Sequence, residues 1–310
     1  MAGTANISPP DSDVAKYWDD HKDKDTRSMV CWEFPDVVKS FDNRRVTGGQ
    51  DLPLLYWFYR KYGPFKEAAS IGCGTGILER CLVEVEHFDG QILGLDISPR
   101  SLEQARAACA GHKNVRFEVA DLNTRIWPTA AYDVVFAHGA LHHIEKLDWV
   151  LGQIACSLKP NGLLYVNDYV GPQRFQWSDA QLRLANQLLA NVPAQWVNNP
   201  RIERCDPLEL ARRDPSEACQ SHFIEDTIRS HFEIIERRPR GGTLLAPIFG
   251  GGGLRESILH SASGIACLLK LCETEARLFD QGVIVTNHVV IVAKARLPRP
   301  GAEFSEHSGG

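Results

Sequence analysis

Apolar and polar positions change period along this chain, and the changes mark out its elements. Ala68-Ala69-Ser70-Ile71 is a short apolar run that breaks at a glycine cluster, after which Ile77, Leu78, Cys81 and Leu82 recur at helical spacing. Gln91 to Leu95 is a second apolar run, ending at Asp96, and Val115 to Ala120 is a third, ending at Asp121-Leu122. Tyr132 to Ala137 reads as a fourth strand. The turn Leu158-Lys159-Pro160-Asn161-Gly162 leads into a fifth, Leu163 to Asp168. Residues 14–63 read as helices with aromatic anchors Tyr17, Trp18, Trp32, Phe34, Trp57, Phe58 and Tyr62. Beyond 172 the order is less regular. Leu182, Leu184, Ala185, Leu188 and Leu189 carry helical periodicity, and Phe223 to Phe232 predicts another helix. Phe232 to Arg237 alternates with period two, 254–280 predicts a largely apolar helix, and Asn287 to Lys294 predicts the last strand.

The glycine cluster is Gly72-Cys73-Gly74-Thr75-Gly76, placed where a strand turns into a helix. Glycines there let backbone approach a ligand closely, and the helix N-terminus behind them favours negative charge. Asp96 follows Gly76 by twenty residues, at the tip of the next strand, where an acid is placed to grip ribose hydroxyls. Dinucleotide sites use G-x-G-x-x-G/A, with a small third residue for close helix packing. Ile77 stands at that position here, and the spacing is G-x-G-x-G.

That spacing resembles the first motif of class I S-adenosylmethionine (SAM) dependent methyltransferases. Four further elements resemble the family in the same order: Asp96, Asp121-Leu122, the Leu141-His142-His143-Ile144 segment after strand four, and the Leu-Lys-Pro-x-Gly turn before strand five. The resemblance implies an α/β, Rossmann-like, seven-stranded and mostly parallel sheet with helices on both faces, closed by an antiparallel hairpin. It implies SAM as cofactor, held by Gly72, Cys73, Gly74 and Gly76, by Asp96 and Ile97, and by Ala120, Asp121 and Leu122. Asp121 would take the adenine amino group and the Leu122 N–H a ring nitrogen. The family usually carries an acid two residues before the first glycine. Ser70 stands there, so methionine-end contacts would lean on backbone near Gly72 and Ala137.

The chain then divides into a disordered 1–13, a helical cap at 14–63, the cofactor-binding core at 64–171 and a helical insertion at 172–220. The rest of the core spans 221–298, with a second helical insertion at about 243–285, and 299–310 is a disordered tail. The insertion after strand five leaves from the ligand-binding edge and is natural material for a lid or substrate pocket. The apolar helix at 254–280 reads as pocket wall, as subunit contact in a homodimer, or as buried core.

Composition narrows the partners. The chain has 310 residues, 44% hydrophobic and 24% charged, with net charge −5. No basic run provides a footprint for DNA or RNA. Nine cysteines occur without a C-x-x-C pair, which fits reduced thiols in a cytoplasmic protein rather than a disulfide framework or zinc site. No signal peptide is apparent and no apolar stretch reaches the ~18 residues of a membrane span, so no membrane partner is expected.

Methyl transfer to a hydroxyl benefits from a base, and histidine is the common choice. His138, His142 and His143 follow strand four, while Asp168 ends strand five and could orient a histidine or bind a substrate hydroxyl. Each of these also reads as a packing or capping residue. We take His138, His142 and Asp168 as catalytic candidates and Tyr17, Trp18, His143, Tyr169, Arg174 and Trp177 as substrate-binding candidates. Arg174, between aromatics, could clamp a carboxylate or phosphate or form a structural ion pair. No metal site is predicted. The chain therefore reads as a methyltransferase acting on oxygen or nitrogen of a small, natural-product or sugar-like molecule. The rival readings are a non-catalytic SAM-fold partner, a protein or RNA methyltransferase, and a nicotinamide oxidoreductase, which Ile77 disfavours.

Overall fold

The computed structural model describes residues 12–21 and 35–296. Trp32, Phe34 and both predicted disordered ends beyond these limits lie outside the described residues. Three helices come first: α1 (Asp13–His21), α2 (Asp36–Thr47) and α3 (Leu54–Tyr62). Asp13, assigned from sequence to the disordered end, already belongs to α1, because the Ser12 hydroxyl caps the helix by accepting the Ala15 N–H at 3.1 Å.

The alternating core follows as β1 (Glu67–Ile71), α4 (Ile77–Glu84), β2 (Gln91–Asp96), α5 (Pro99–Ala108), β3 (Val115–Val119), β4 (Tyr132–His138), α6 (Leu147–Ser157) and β5 (Leu158–Tyr169). After β5 come α7 (Asp179–Leu189), α8 (Pro207–Arg213), α9 (Ile224–His231), β6 (Phe232–Gly241), α10 (Leu245–Gly250), α11 (Ala262–Asp280) and β7 (His288–Ala295). The seven strands form one sheet in the order β3-β2-β1-β4-β5-β7-β6. Strands 1 to 5 pair in parallel, and β7 runs antiparallel to both β5 and β6.

Period-two alternation sends successive residues of the central strands to opposite cores. Ala69, Ile71, Val135, Ala137 and Val166 pack on Val150 and Ile154 of α6 and on Ile224 and Ile228 of α9. Ala68, Val134, Phe136 and Tyr165 pack on Phe58 of α3 and Leu82 of α4. A third apolar core joins α2 to both insertions: Val38, Ala185, Leu189, Ile248, Phe249, Leu268 and Leu271. The two insertions and α2 thus share one core.

Three predicted elements have limits that differ by more than a single residue. β5 begins at Leu158, since the Lys-Pro turn residues continue the strand through an irregularity opposite Tyr132/Val134. β6 runs on to Gly241, because its pairing with β7 slips by one residue at Ile235 and again at Arg240, resuming each time. The apolar helix starts at Ala262, where the Ser261 hydroxyl accepts the Gly264 N–H at 3.0 Å and ends the irregular stretch before it.

Candidate active site

The carboxyl ends of β1, β2 and β4 open onto a cavity of about 520 Å³. Its floor is the glycine turn. Gly72 has φ +57°, and a Cβ there would lie 2.8 Å from the Ala140 Cβ; Gly76 has φ +77°, and its Cβ would meet Ala105 and Phe117 at 3.0 Å. Side chains at either position would close the cradle or spring the helix from the sheet. Asp96 holds the turn in place. Its Oδ2 accepts the Gly74 N–H at 2.8 Å and its Oδ1 accepts the Ser98 N–H at 2.9 Å. Burial pushes its carboxyl upward against those bonds. Asp121 stands on the far wall, its Oδ1 accepting from the backbone and side chain of Asn123 at 2.9 and 3.1 Å.

Gly72, Gly74, Asp96 and Ile97 line the cavity, as do Ala120, Asp121 and Leu122. Ser70, Cys73, Gly76 and Ala137 do not line it. Ser70 and Ala137 are buried behind the turn, and the Cys73 thiol packs toward Gly94. Ser70 meets another acid: its hydroxyl hydrogen-bonds Glu79 of α4, a fully buried carboxylate. Burial pushes Glu79 up to about 7, against the hydrogen bond from Ser70. A carboxyl raised in the fold binds more protons there than in the unfolded chain, whose ordinary value is 4.5. Its contribution to stability is therefore lost as pH rises from the unfolded value through about 7. Glu79→Gln should remove that loss, so thermal unfolding should show the variant gaining on the wild type between pH 5 and 8. A constant difference across that range would contradict it.

Behind the cavity wall formed by Ala140 and His143 lies a polar cluster built on Asp168. This buried carboxylate accepts the backbone N–H groups of Ala140 (3.0 Å), Leu141 (2.8 Å) and Tyr169 (2.8 Å), and faces His142 Nδ1 at 2.5 Å. With Nδ1–H donated to Asp168, His142 turns Nε2 toward Glu217, whose Oε1 is 3.6 Å away. Burial lowers the His142 pKa, but Asp168, Glu217 and Asp214 outweigh it and raise the imidazole to about 9. His143 behaves oppositely: burial and then the neighbouring His142 charge hold it well below its ordinary value. Its Nδ1 is 3.1 Å from the Ser216 hydroxyl, which donates to Asp214 at 2.8 Å. His142, His143 and Glu217 bring one ligand-type atom each within 4.8 Å of the others. A protonated His142 with carboxylates on both sides accounts for that grouping through ion pairing.

Helix α1 covers this cluster. Trp18 lines the cavity and packs edge-on against His143 at 5.0 Å, while Tyr17 packs on Trp18 at 5.4 Å. The Tyr17 phenol is pushed upward by burial and by Asp214 and Glu217.

Three sequence candidates hold the site from outside it. The Arg174 guanidinium donates to the carbonyls of Glu217 (2.7 Å), Pro215 (2.6 Å) and Asp214 (3.2 Å), so it pins the loop that carries Glu217. The Tyr169 hydroxyl donates to the Pro172 carbonyl at 3.0 Å, with its ring against His142 and His288. Trp177 is buried and stacked on Phe175 at 5.6 Å. His138 is exposed at the end of β4 and bonded to Asn167, apart from the Asp168 cluster. Sequence reasoning missed Asp214, Ser216 and Glu217. Asp214-Pro215-Ser216 reads locally as a turn, and the Asp214 Oδ1 does accept the Ser216 N–H at 2.9 Å. Nothing local ties it to a histidine more than seventy residues earlier.

The strand order, the glycine cradle and the two acids on its walls define the class I SAM-dependent methyltransferase fold. A family model described as a methyltransferase domain matches residues 70–228, and the chain belongs to that family. It is 29% identical over 175 residues to a phosphoethanolamine N-methyltransferase of Triticum aestivum, covering 48% of this chain and 34% of that one. It is 35% identical over 126 residues to a malonyl-[acyl-carrier protein] O-methyltransferase of Halalkalibacterium halodurans, covering 39% of this chain and 45% of that one. The chain thus spans less than half the length of these curated relatives. A solved structure of Haemonchus contortus phosphoethanolamine N-methyltransferase 2, with phosphomonomethylethanolamine and S-adenosylhomocysteine, shares the fold at TM-score 0.51 and 17% identity. That match covers 93% of this chain and 61% of that one. Among the described residues no helix is long and apolar enough to cross a membrane.

Proposed function

We propose that this protein transfers a methyl group from SAM to an oxygen or nitrogen of a small molecule, with His142 as the base and Asp168 as its orienting partner. The observation that carries this reading is the buried Asp168, whose three backbone bonds leave it one task, to hold His142 Nδ1. SAM supplies an electrophilic methyl on a sulfonium. The cavity suits it: a glycine turn with no room for a Cβ at Gly72, an acid at Asp96 for ribose hydroxyls, and an acid at Asp121 with the Leu122 N–H for the adenine edge. Relatives named for nitrogen and for oxygen acceptors keep both atoms open.

The residues divide the work as follows. Trp18 and His143 form the wall between cofactor and acceptor, and α1 excludes water from the cluster. His142 Nε2 takes the acceptor proton, and Asp168 stabilises the imidazolium that results. Glu217 and Asp214 hold the same charge from the opposite side. Because these groups raise His142 to about 9, most of it is protonated at neutral pH and only the deprotonated fraction serves as base. The expected profile of kcat/KM therefore climbs with pH and levels near 9. A profile that is flat or falling from pH 7 to 9.5 would remove His142 from the base role.

A further inference from the structure

Asn167 of β5 lies beside His138 in the β4–β5 register, and its side chain bridges two groups. Its Oδ1 accepts from Arg240 Nη1 at 2.7 Å, and its Nδ2 lies 3.2 Å from His138 Nε2. An amide alone could sit either way round. Arg240 removes the ambiguity, because a guanidinium only donates, so the atom it faces must be the amide oxygen. The amide NH₂ then faces His138, and since it too only donates, His138 Nε2 must accept. The ring proton of His138 is thereby assigned to Nδ1.

Arg240 is itself fixed. It is the extra residue at the second slip in the β6–β7 pairing, between Pro239 opposite Val289 and Gly241 opposite His288. Such a bulge re-aims a side chain. The guanidinium is buried and grips Asp42 of α2, with Nε and Nη2 donating to Oδ2 at 2.8 and 2.5 Å. Asp42, Arg240 and Asn167 are each under a tenth exposed, so a flipped amide would set a buried NH₂ against a buried cation.

We propose that Asp42, Arg240 and Asn167 form a positioning relay that holds His138 as the neutral Nδ1–H tautomer with Nε2 occupied. His138 then cannot take a proton at Nε2 without breaking the bond from Asn167, which leaves the base role to His142. The relay also ties α2 to the end of β4, one residue before the cavity wall at Gly139. The division of labour between the two histidines rests on the methyl-transfer reading. The tautomer does not, and it can be read without turnover.

The test is long-range ¹H–¹⁵N NMR of the histidine rings in the full chain, with His138 assigned from a His138→Gln spectrum. The expected wild-type pattern is a protonated Nδ1 and a bare Nε2. Asn167→Asp keeps the shape but replaces the donor with an acceptor, so Nε2 should become protonated and the pattern should change. Arg240→Lys, which preserves charge but loses the forked grip, should release the amide and give a mixture of tautomers. A wild-type Nε2–H tautomer would overturn the relay, as would an Asn167→Asp spectrum unchanged at His138. A matching kinetic sign is a new ionisation limb in the pH profile of Asn167→Asp. If no turnover is found at all, the methyl-transfer reading fails while the NMR result still decides the relay.

Discussion

His142→Ala should lower kcat by about 10²- to 10⁴-fold, the range a positioned general base supplies, while leaving SAM affinity unchanged. His142 does not line the cofactor cavity, so its loss should not reach the glycine cradle. The variant should be less stable than the wild type, because Asp168 and Glu217 lose the cation between them, but Asp168 keeps its bonds from Ala140, Leu141 and Tyr169 and the site stays assembled. What disappears is the nitrogen between Asp168 and Glu217. Loss of the alkaline rise in kcat/KM should accompany the loss of rate. Steady-state kinetics and a SAM titration of the same variant check both halves. Full activity would make His142 a structural residue.

Asp96→Ala should weaken SAM binding by about 1–3 kcal/mol, roughly 5- to 150-fold, through lost charged hydrogen bonds. Two losses act together. The ribose would lose its acceptor, and Gly74 and Ser98 would lose the carboxylate that ties the turn to β2. Calorimetric titration gives the number directly. Unchanged affinity would withdraw the ribose assignment, and the cavity would need another anchor.

The core was legible because its signals are local. A strand ending in Gly-x-Gly-x-Gly, an acid at each of the next two strand tips and continuous apolar strands such as Val134 to Ala137 depend on near neighbours in sequence. The strands of the closing hairpin were readable for the same reason, though their limits moved where pairing slipped. The acceptor end was only half legible. His142 and Asp168 stood out by type and by place in the family pattern. Their coupling, and the identity of Glu217 as third member, depend on an insertion folding back over forty residues beyond β5. Arg174 shows the limit most clearly. A cation among aromatics fits a substrate clamp or a structural ion pair, and its three bonds go instead to backbone carbonyls forty residues or more on in sequence, which no local pattern announces. Ser70 shows another: its partner Glu79 comes from α4, nine residues on, and the pairing depends on how that helix packs against β1.

The measurement that tests the central claim most directly is transfer of a labelled methyl from SAM into fractionated cell extract, with the wild-type protein beside Asp96→Ala. The expected result is label in a small-molecule fraction, reduced in the variant. Label in protein or RNA, or none in any fraction while SAM binding is intact, would contradict it.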